Sequence, residues 1–257
     1  MRFASLGSGS AGNSMVVEAG RTALLLDCGF GLRETEARLA RLRLDARQLA
    51  GIVITHEHDD HAGGAFKLAA RHRLAVWITH GTLRAAHRYI PSGFDAPLNV
   101  IDSHTPFHIG DIELRPFPVP HDAGEPVQYV FDDGASKFGV LTDTGSSTPH
   151  IEAMLSGCHA LMLECNHDLD MLMNGSYAWP LKQRISSHYG HLANKTSASL
   201  LTKLDNSKLQ HIVAAHLSEM NNTPTLAGQA LASALDCERE WVGIATQSEG
   251  IGWRQIS

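Results

Sequence analysis

The strongest constraint on this chain is a set of short apolar runs that each stop at a residue able to bind a metal. The first, Gly51-Ile52-Val53-Ile54-Thr55, passes directly into His56-Glu57-His58-Asp59-Asp60-His61. The uncharged run reads as a buried strand. Alternate side chains of an extended segment point the same way, so His56 and His58 can share one ion. Asp60 and His61 sit at the turn into a helix, within reach of a second ion. Later runs end the same way, at His121, Asp143 and His216. Strand ends of this kind are where sites form in α/β folds. A short carboxylate such as Asp143 can bridge two cations about 3.5–4 Å apart. Imidazole and carboxylate donors suit two divalent ions, Zn²⁺ first, with Mn²⁺ or Fe²⁺ also fitting. The 16 histidines, against six lysines, agree with metal ligation.

The remaining pattern predicts one α/β domain over 1–257. Strands are expected at 2–6, 15–19, 22–27, 51–55, 74–79, 98–102, 112–119, 127–131, 137–142, 160–165 and 210–215, with two short strands at the end. Helices are expected at 32–43, 61–72, 82–89, 180–187, 193–204 and 225–235. Another helix opens on Thr148-Pro149 as cap and first-turn proline and closes at Gly157. Early strands resemble hairpins and later ones alternate with helices, which predicts two sheets packed face to face with helices outside.

Composition excludes several classes. A net charge of −6 argues against a generally cationic nucleic-acid binder. No apolar run approaches the roughly 18 residues of a membrane span. The four cysteines stand singly and no apolar leader opens the chain, so a reducing cytoplasm is the expected compartment. Cys28 and Cys165 read as small buried hydrophobes. The Gly-Ser-rich segment 7–14 lacks the GK[ST] ending of a nucleotide-binding P-loop. It reads as a tight loop lining the site, where Ser10, Asn13 and Ser14 are candidate phosphate contacts.

The order His56-x-His58-x-Asp60-His61, His121, Asp143, His216 resembles the metallo-β-lactamase superfamily over nearly the whole chain. The resemblance implies an αββα four-layer sandwich with a dinuclear site on one edge. It also implies that His56, His58 and His121 hold one metal, that Asp60, His61 and His216 hold the other, and that Asp143 bridges them. Further stretches resemble one branch, the WalJ (YycJ) type: Gly7–Ser14, Asp27-Cys28-Gly29, His121-Asp122-Ala123, Leu141–Gly145, Glu164–Asp168, Gly190–Asn194 and His216–Asn222. Ala193 and Gln128 depart from that pattern, which usually has Ser and Gly there. The branch implies phosphodiester cleavage, including 5′→3′ exonuclease action on DNA. Within the superfamily, His58 favours hydrolysis over diiron oxidation, and the missing export signal argues against a true β-lactamase.

The expected chemistry is attack on phosphorus by a hydroxide held between two cations, with Asp60 and Asp143 placing the ions. The leaving oxygen needs a proton donor, and His191 is the candidate, expected at a helix start that also favours an anion. His188 is the second candidate near the substrate. Glu164 and His167 end another strand and are candidates for orienting a metal-bound imidazole. Residues 171–204 contain no Asp or Glu but carry Lys182, Arg184, Lys195 and Lys203, with Tyr177, Trp179 and Tyr189 among them. Such a strip suits a single-stranded end, with Lys182, Arg184 and His188 as phosphate contacts and strongly salt-dependent binding. The competing readings are a small-molecule ester, lactone or cyclic-phosphate hydrolase and, from another class, a non-catalytic nucleic-acid-binding module. No obligate protein partner and no membrane association are implied.

Overall fold

A computed structural model of the chain describes residues 1–257. The first sheet contains β1 (Arg2–Gly7), β2 (Ser14–Ala19), β3 (Thr22–Leu26), β4 (Gly51–Val53), β5 (Ala75–Thr79), β6 (Leu98–Ile101) and β14 (Ile251–Gln255), in the order β14-β1-β2-β3-β4-β5-β6. The second contains β7 (Phe107–Ile109), β8 (Ile112–Pro118), β9 (Val127–Asp132), β10 (Lys137–Leu141), β11 (Ala160–Glu164), β12 (His211–Ala215) and β13 (Gly243–Ile244), in the order β13-β12-β11-β10-β9-β8-β7. Each sheet is antiparallel in one half and parallel in the other.

Three buried clusters separate the four layers. The inner cluster joins Phe3, Val17 and Leu24 of the first sheet to Tyr129, Phe138 and Val213 of the second. At its centre the rings of Phe3 and Phe138 stack at 4.0 Å. A second cluster packs α1 (Leu32–Arg41) and α3 (Ala65–His72) on the outer face of the first sheet through Leu39, Phe66 and Leu68. A third seats α5 (Pro149–Leu155), α8 (Asn194–Leu201) and α9 (Pro224–Leu235) on the second through Ile151, Leu200 and Leu231. The expected αββα sandwich is therefore present.

The parallel halves matter for the site because they bring strand C-termini side by side. Leu26 of β3 pairs with Val53 of β4, and Glu164 of β11 pairs with Ala215 of β12. At three of these ends the chain turns sharply. Asp27, Asp143 and His216 have φ of 57°, 54° and 55°, left-handed values uncommon for non-glycine residues. Each such conformation costs about 1–3 kcal/mol and is held by its surroundings.

Several elements differ from the sequence expectation. The helix expected at 61–72 is two pieces, α2 (Asp59–Ala62) and α3, broken at Gly63-Gly64. The Gly64 backbone packs so closely on Phe30 that a Cβ there would lie 1.9 Å from its carbonyl oxygen. The helix expected at 82–89 is α4 (His80–Ala86) followed by a 3₁₀ turn at His87–Tyr89. The helix α6 (Leu169–Asn174), capped by Asp168, and the short strand β7 were not expected. Helix α7 (Trp179–Ile185) matches expectation, whereas α8 starts at Asn194 with Ala193 as its cap. His191 thus lies three residues ahead of that helix, and no helix start is available to it for anion binding.

The segment after β3 clamps the ligand loop. Cys28 N donates to His61 O at 2.7 Å, and Gly64 N donates to Cys28 O at 2.8 Å. Between them, a Cβ on Gly29 would lie 1.9 Å from Asp60 O. Gly29→Ala is expected to lower stability by about 1–3 kcal/mol through this backbone clash, read as a fall in the urea midpoint. Gly31→Ala is the matched control, since its Cβ meets nothing within 4 Å. Equal midpoints for the two variants would show that the clamp does not constrain the loop.

Candidate metal centre

Strand ends from both sheets deliver the candidate ligands to one edge of the sandwich. β4 leads to His56 and His58, α2 carries Asp60 and His61, and the turn after β8 carries His121. Asp143 and His216 follow β10 and β12. All seven expected ligands meet there. They fall into two groups, His56/His58/His121 and Asp60/His61/Asp143/His216.

In the first group His58 Nδ1 lies 3.1 Å from His56 Nε2 and 3.2 Å from His121 Nε2. In the second, His61 Nε2 lies 3.5 Å from Asp60 Oδ2 and 3.1 Å from Asp143 Oδ2. His216 Nε2 lies 3.5 Å from Asp60 Oδ2 and 3.5 Å from Asp143 Oδ1. Asp143 Oδ1 also comes within 4.0 Å of His121 Nε2, so this carboxylate stands between the groups.

The ligand set fits cations on the evidence of its unmet valences. Asp143 Oδ2 is buried and makes no hydrogen bond of regular geometry, its close neighbour being His61 Nε2 at 3.1 Å. A buried anionic oxygen that is poorly hydrogen-bonded is costly, and a cation removes that cost. Each of four imidazoles has its other nitrogen engaged. His61 Nδ1 lies 2.8 Å from Asp27 Oδ2, and His56 Nδ1 lies 2.9 Å from Thr55 Oγ1. His121 Nδ1 lies 3.2 Å from Gly190 O, and His216 Nδ1 lies 3.1 Å from Glu164 Oε1. Such partners fix the tautomer and leave Nε2 free as a ligand atom.

The two groups hold protons differently. Burial pushes His56 and His121 below the ordinary imidazole range, so these two are ready as neutral donors. Burial also disfavours protonated His61 and His216, but the carboxylates around them prevail. Asp143, Asp60 and Asp27 raise His61 well above the usual range, while Asp143, Asp60 and Glu164 raise His216 to about 10. Glu164 is lowered to about 2 because the imidazoles of His191 and His216 outweigh its burial.

Asp27 is the main site residue that the sequence reading left without a role. It accepts from Thr55 N and Thr55 Oγ1, both at 2.8 Å, as well as from His61. The signal was present, since Asp27 ends the run Thr22–Leu26 just as Asp143 ends its own. Glu164 orients His216 as expected, and it also takes Thr144 N and Leu192 N at 3.1 Å each. Its Oε1 lies 2.8 Å from His191 Nδ1, which fixes His191 at the cleft wall. His167 is buried against Asn166 Oδ1 and reaches none of the ligands.

The cleft above the ligands has a volume of about 390 Å³, and few of its lining residues are apolar. Ser10 and Arg184 line it; His188 lies exposed outside it. Three expected phosphate contacts, Lys182, Asn13 and Ser14, are already engaged. Lys182 is buried, its Nζ donating to Met173 O at 2.7 Å and Gly175 O at 2.8 Å. Asn13 is buried too. Its Nδ2 reaches Asp60 Oδ2 at 3.1 Å, and its Oδ1 accepts from Gly9 N at 2.9 Å. Ser14 Oγ donates to Asp27 O at 2.8 Å, and Ser8 Oγ accepts from His216 N at 2.9 Å. The Gly-Ser loop is therefore a brace behind the ligands, with Ser10 as its residue facing the cleft. Cys28 and Cys165 are buried thiols, as expected, and burial pushes Cys28 up to about 12.

Two outcomes follow from this arrangement. Filling the Asp60/His61/Asp143/His216 group at pH 8 is expected to release protons from His61 and His216, whereas His56 and His121, already neutral, release none when the other group is filled. His61 and His216 are both raised, so affinity at the carboxylate-rich group should climb as pH rises toward about 10. Calorimetry in two buffers of different ionisation enthalpy measures this, and equal proton release at both steps would contradict it. Asp27→Asn is expected to weaken metal binding about 10–100-fold, read by competition with a chromophoric chelator.

Comparison with known proteins agrees with this geometry. Residues 22–216 match the family described as β-lactamase superfamily domain. The chain is 35% identical over 248 residues to exodeoxyribonuclease YycJ of Bacillus anthracis, covering 95% of this chain and 93% of that protein. It is 32% identical over 236 residues to exodeoxyribonuclease WalJ of Streptococcus pneumoniae, covering 91% and 88%. Among solved structures, the metallo-β-lactamase fold protein YhfI of Bacillus subtilis superimposes with a TM-score of 0.77 at 15% identity, covering 98% of both chains. With its fold, its ordered ligand set and these matches in agreement, the chain belongs to the metallo-β-lactamase superfamily.

Proposed function

We propose that the chain is a dinuclear metal-dependent phosphodiesterase that shortens DNA from the 5′ end, with 1–257 acting as one hydrolase domain. The observation that carries this reading is the convergence of seven ligands beside a cleft wall where Glu164 anchors His191. Two relatives of nearly the same length bear the name exodeoxyribonuclease, which supports DNA as the substrate. Zinc is the proposed metal, because five of the seven ligands are imidazoles and the other two are carboxylates. No helix is long and apolar enough to cross a membrane. A reducing cytoplasm fits the four free cysteines.

His56, His58 and His121 would hold one ion, Asp60, His61 and His216 the other, with Asp143 shared. The chemistry a bound cation pair supplies is Lewis acidity and a nucleophilic water near neutral pH. The protein's own part is placement. Asp27, Thr55, Gly190 O and Glu164 keep four imidazoles in one orientation, so the ligand atoms need no rearrangement during turnover. His191 donates its Nδ1 proton to Glu164 Oε1, so the proton exchanged with the leaving oxygen sits on Nε2. Ser10 and Arg184 are the side chains placed to meet phosphate oxygens at the cleft mouth. Asn13 and Lys182 act behind that surface.

The test is incubation of zinc-loaded protein with 5′- and 3′-labelled single- and double-stranded DNA, in parallel with a lactone. A ladder shortening from the 5′ end is expected. Lactone turnover with intact DNA would move the chain to the small-molecule hydrolases. Asp143→Asn is expected to abolish turnover, whereas a non-catalytic binding module would be indifferent to it. His191→Gln should lower kcat by about 10²–10⁴-fold, the usual contribution of a positioned proton donor.

A further inference from the structure

The rim of the cleft carries an unusual share of exposed apolar surface. Nine large hydrophobic side chains of the protein are exposed, and five of them, Leu169, Trp179, Leu181, Tyr189 and Met220, come from the segments that build or adjoin the cleft wall. Tyr177, Leu181, Arg184, Ile185 and Gly190 line the cleft itself. Trp179 and Tyr189 stand within two residues of Leu181 and Gly190, and the two residues are 60% and 62% exposed. Tyr189 is fixed to the ligand region, since its carbonyl accepts from Asp122 N at 3.1 Å. Leu169 and Met220 are brought together where Asp168 N donates to Asn221 O at 2.8 Å. Rings and aliphatic side chains left in water beside a polar cleft mark a binding surface.

Cations are scarcer on that rim than the composition of 171–204 implied. Lys182 is held by two carbonyls and Lys203 by Glu152 at 3.0 Å. Arg184 gives only its Nε to Asp122, at 2.7 Å, and its guanidinium is otherwise exposed, while Lys195 stands outside such pairing. The segment also has no acidic side chain to repel a polyanion.

We propose that Trp179 and Tyr189 form a base-stacking platform for the unpaired end of a DNA strand, with Arg184 as its phosphate contact. This subsite rests on the phosphodiesterase reading given above. Stacking needs free base faces, so the substrate class is a single-stranded or frayed end rather than a blunt duplex. Because at most one or two side-chain cations meet the strand, recognition depends weakly on salt. This replaces the strong salt dependence expected from composition.

The test compares two end-labelled single strands, one with ordinary bases and one whose first three residues are abasic. For zinc-loaded wild type, kcat/KM on the first is expected to exceed the second by about 10–100-fold, the usual worth of one stacked base. In the Trp179→Ala/Tyr189→Ala double variant that ratio should fall toward one, with Trp179→Phe/Tyr189→Phe restoring most of it. A ratio that stays at its wild-type value in the alanine variant overturns the platform, while loss of all shortening in wild type overturns the phosphodiesterase reading instead. In EDTA, the ordinary strand should quench part of the indole fluorescence, and that part should vanish in Trp179→Phe. Unchanged quenching in that variant counts against the proposal. The slope of log kcat/KM against log salt is expected to be shallower than about −1.5, from roughly −0.7 per neutralised phosphate. A slope steeper than about −3 would assign recognition to cations and overturn the proposal.

Discussion

Two buried carboxylates, Asp27 and Glu164, govern the geometry of this protein's site. Each ends a strand, each is almost fully removed from water, and each is satisfied by backbone N–H groups and imidazoles. An unpaired carboxylate in such a place would cost several kcal/mol. The folded chain therefore tolerates them only while His61, His216 and His191 stay in position. The dependence also runs the other way, because the imidazoles take their orientation from these acids. The ligand cluster is thus part of the packing at the sandwich edge, and its shape precedes any ion.

The same electrostatics divide the site into unequal halves. At the first position burial keeps His56 and His121 neutral, so an ion there meets little competition from protons on those two. The second position gathers Asp60, Asp143 and two protonated histidines into a self-compensating cluster. Without a metal that cluster is a set of buried ion pairs, and with one it trades protons for a cation. The order in which the ions enter should therefore depend on pH.

Much of this arrangement was legible in the chain because strand ends are easy to read. A short apolar run stopping at His or Asp needs only periodicity and polarity to be seen, and the four that end such runs, His56, His121, Asp143 and His216, meet in space with His58, Asp60 and His61. Residues whose roles depend on what lies across the fold were not legible. Lys182 looked like a phosphate contact until its ammonium was found closing the turn at Met173 and Gly175. Asn13 looked like one until its amide was found against Asp60 and His61. Both misreadings share a cause, since a polar side chain in a loop near a site has backbone groups to satisfy first. The break at Gly63-Gly64 was hidden for a related reason. Helical periodicity continues through it, and only the close approach of Phe30 makes it necessary.

The left-handed turns at Asp27, Asp143 and His216 carry a consequence for how such a chain can change. Glycine adopts that backbone freely, so replacing any of the three would relieve local strain. Each replacement would also remove a side chain on which the cluster depends. Because each side chain also satisfies buried partners, a glycine there would loosen the sandwich edge as well as silence the site. The strain at these turns is therefore held in place by the same contacts that shape the site.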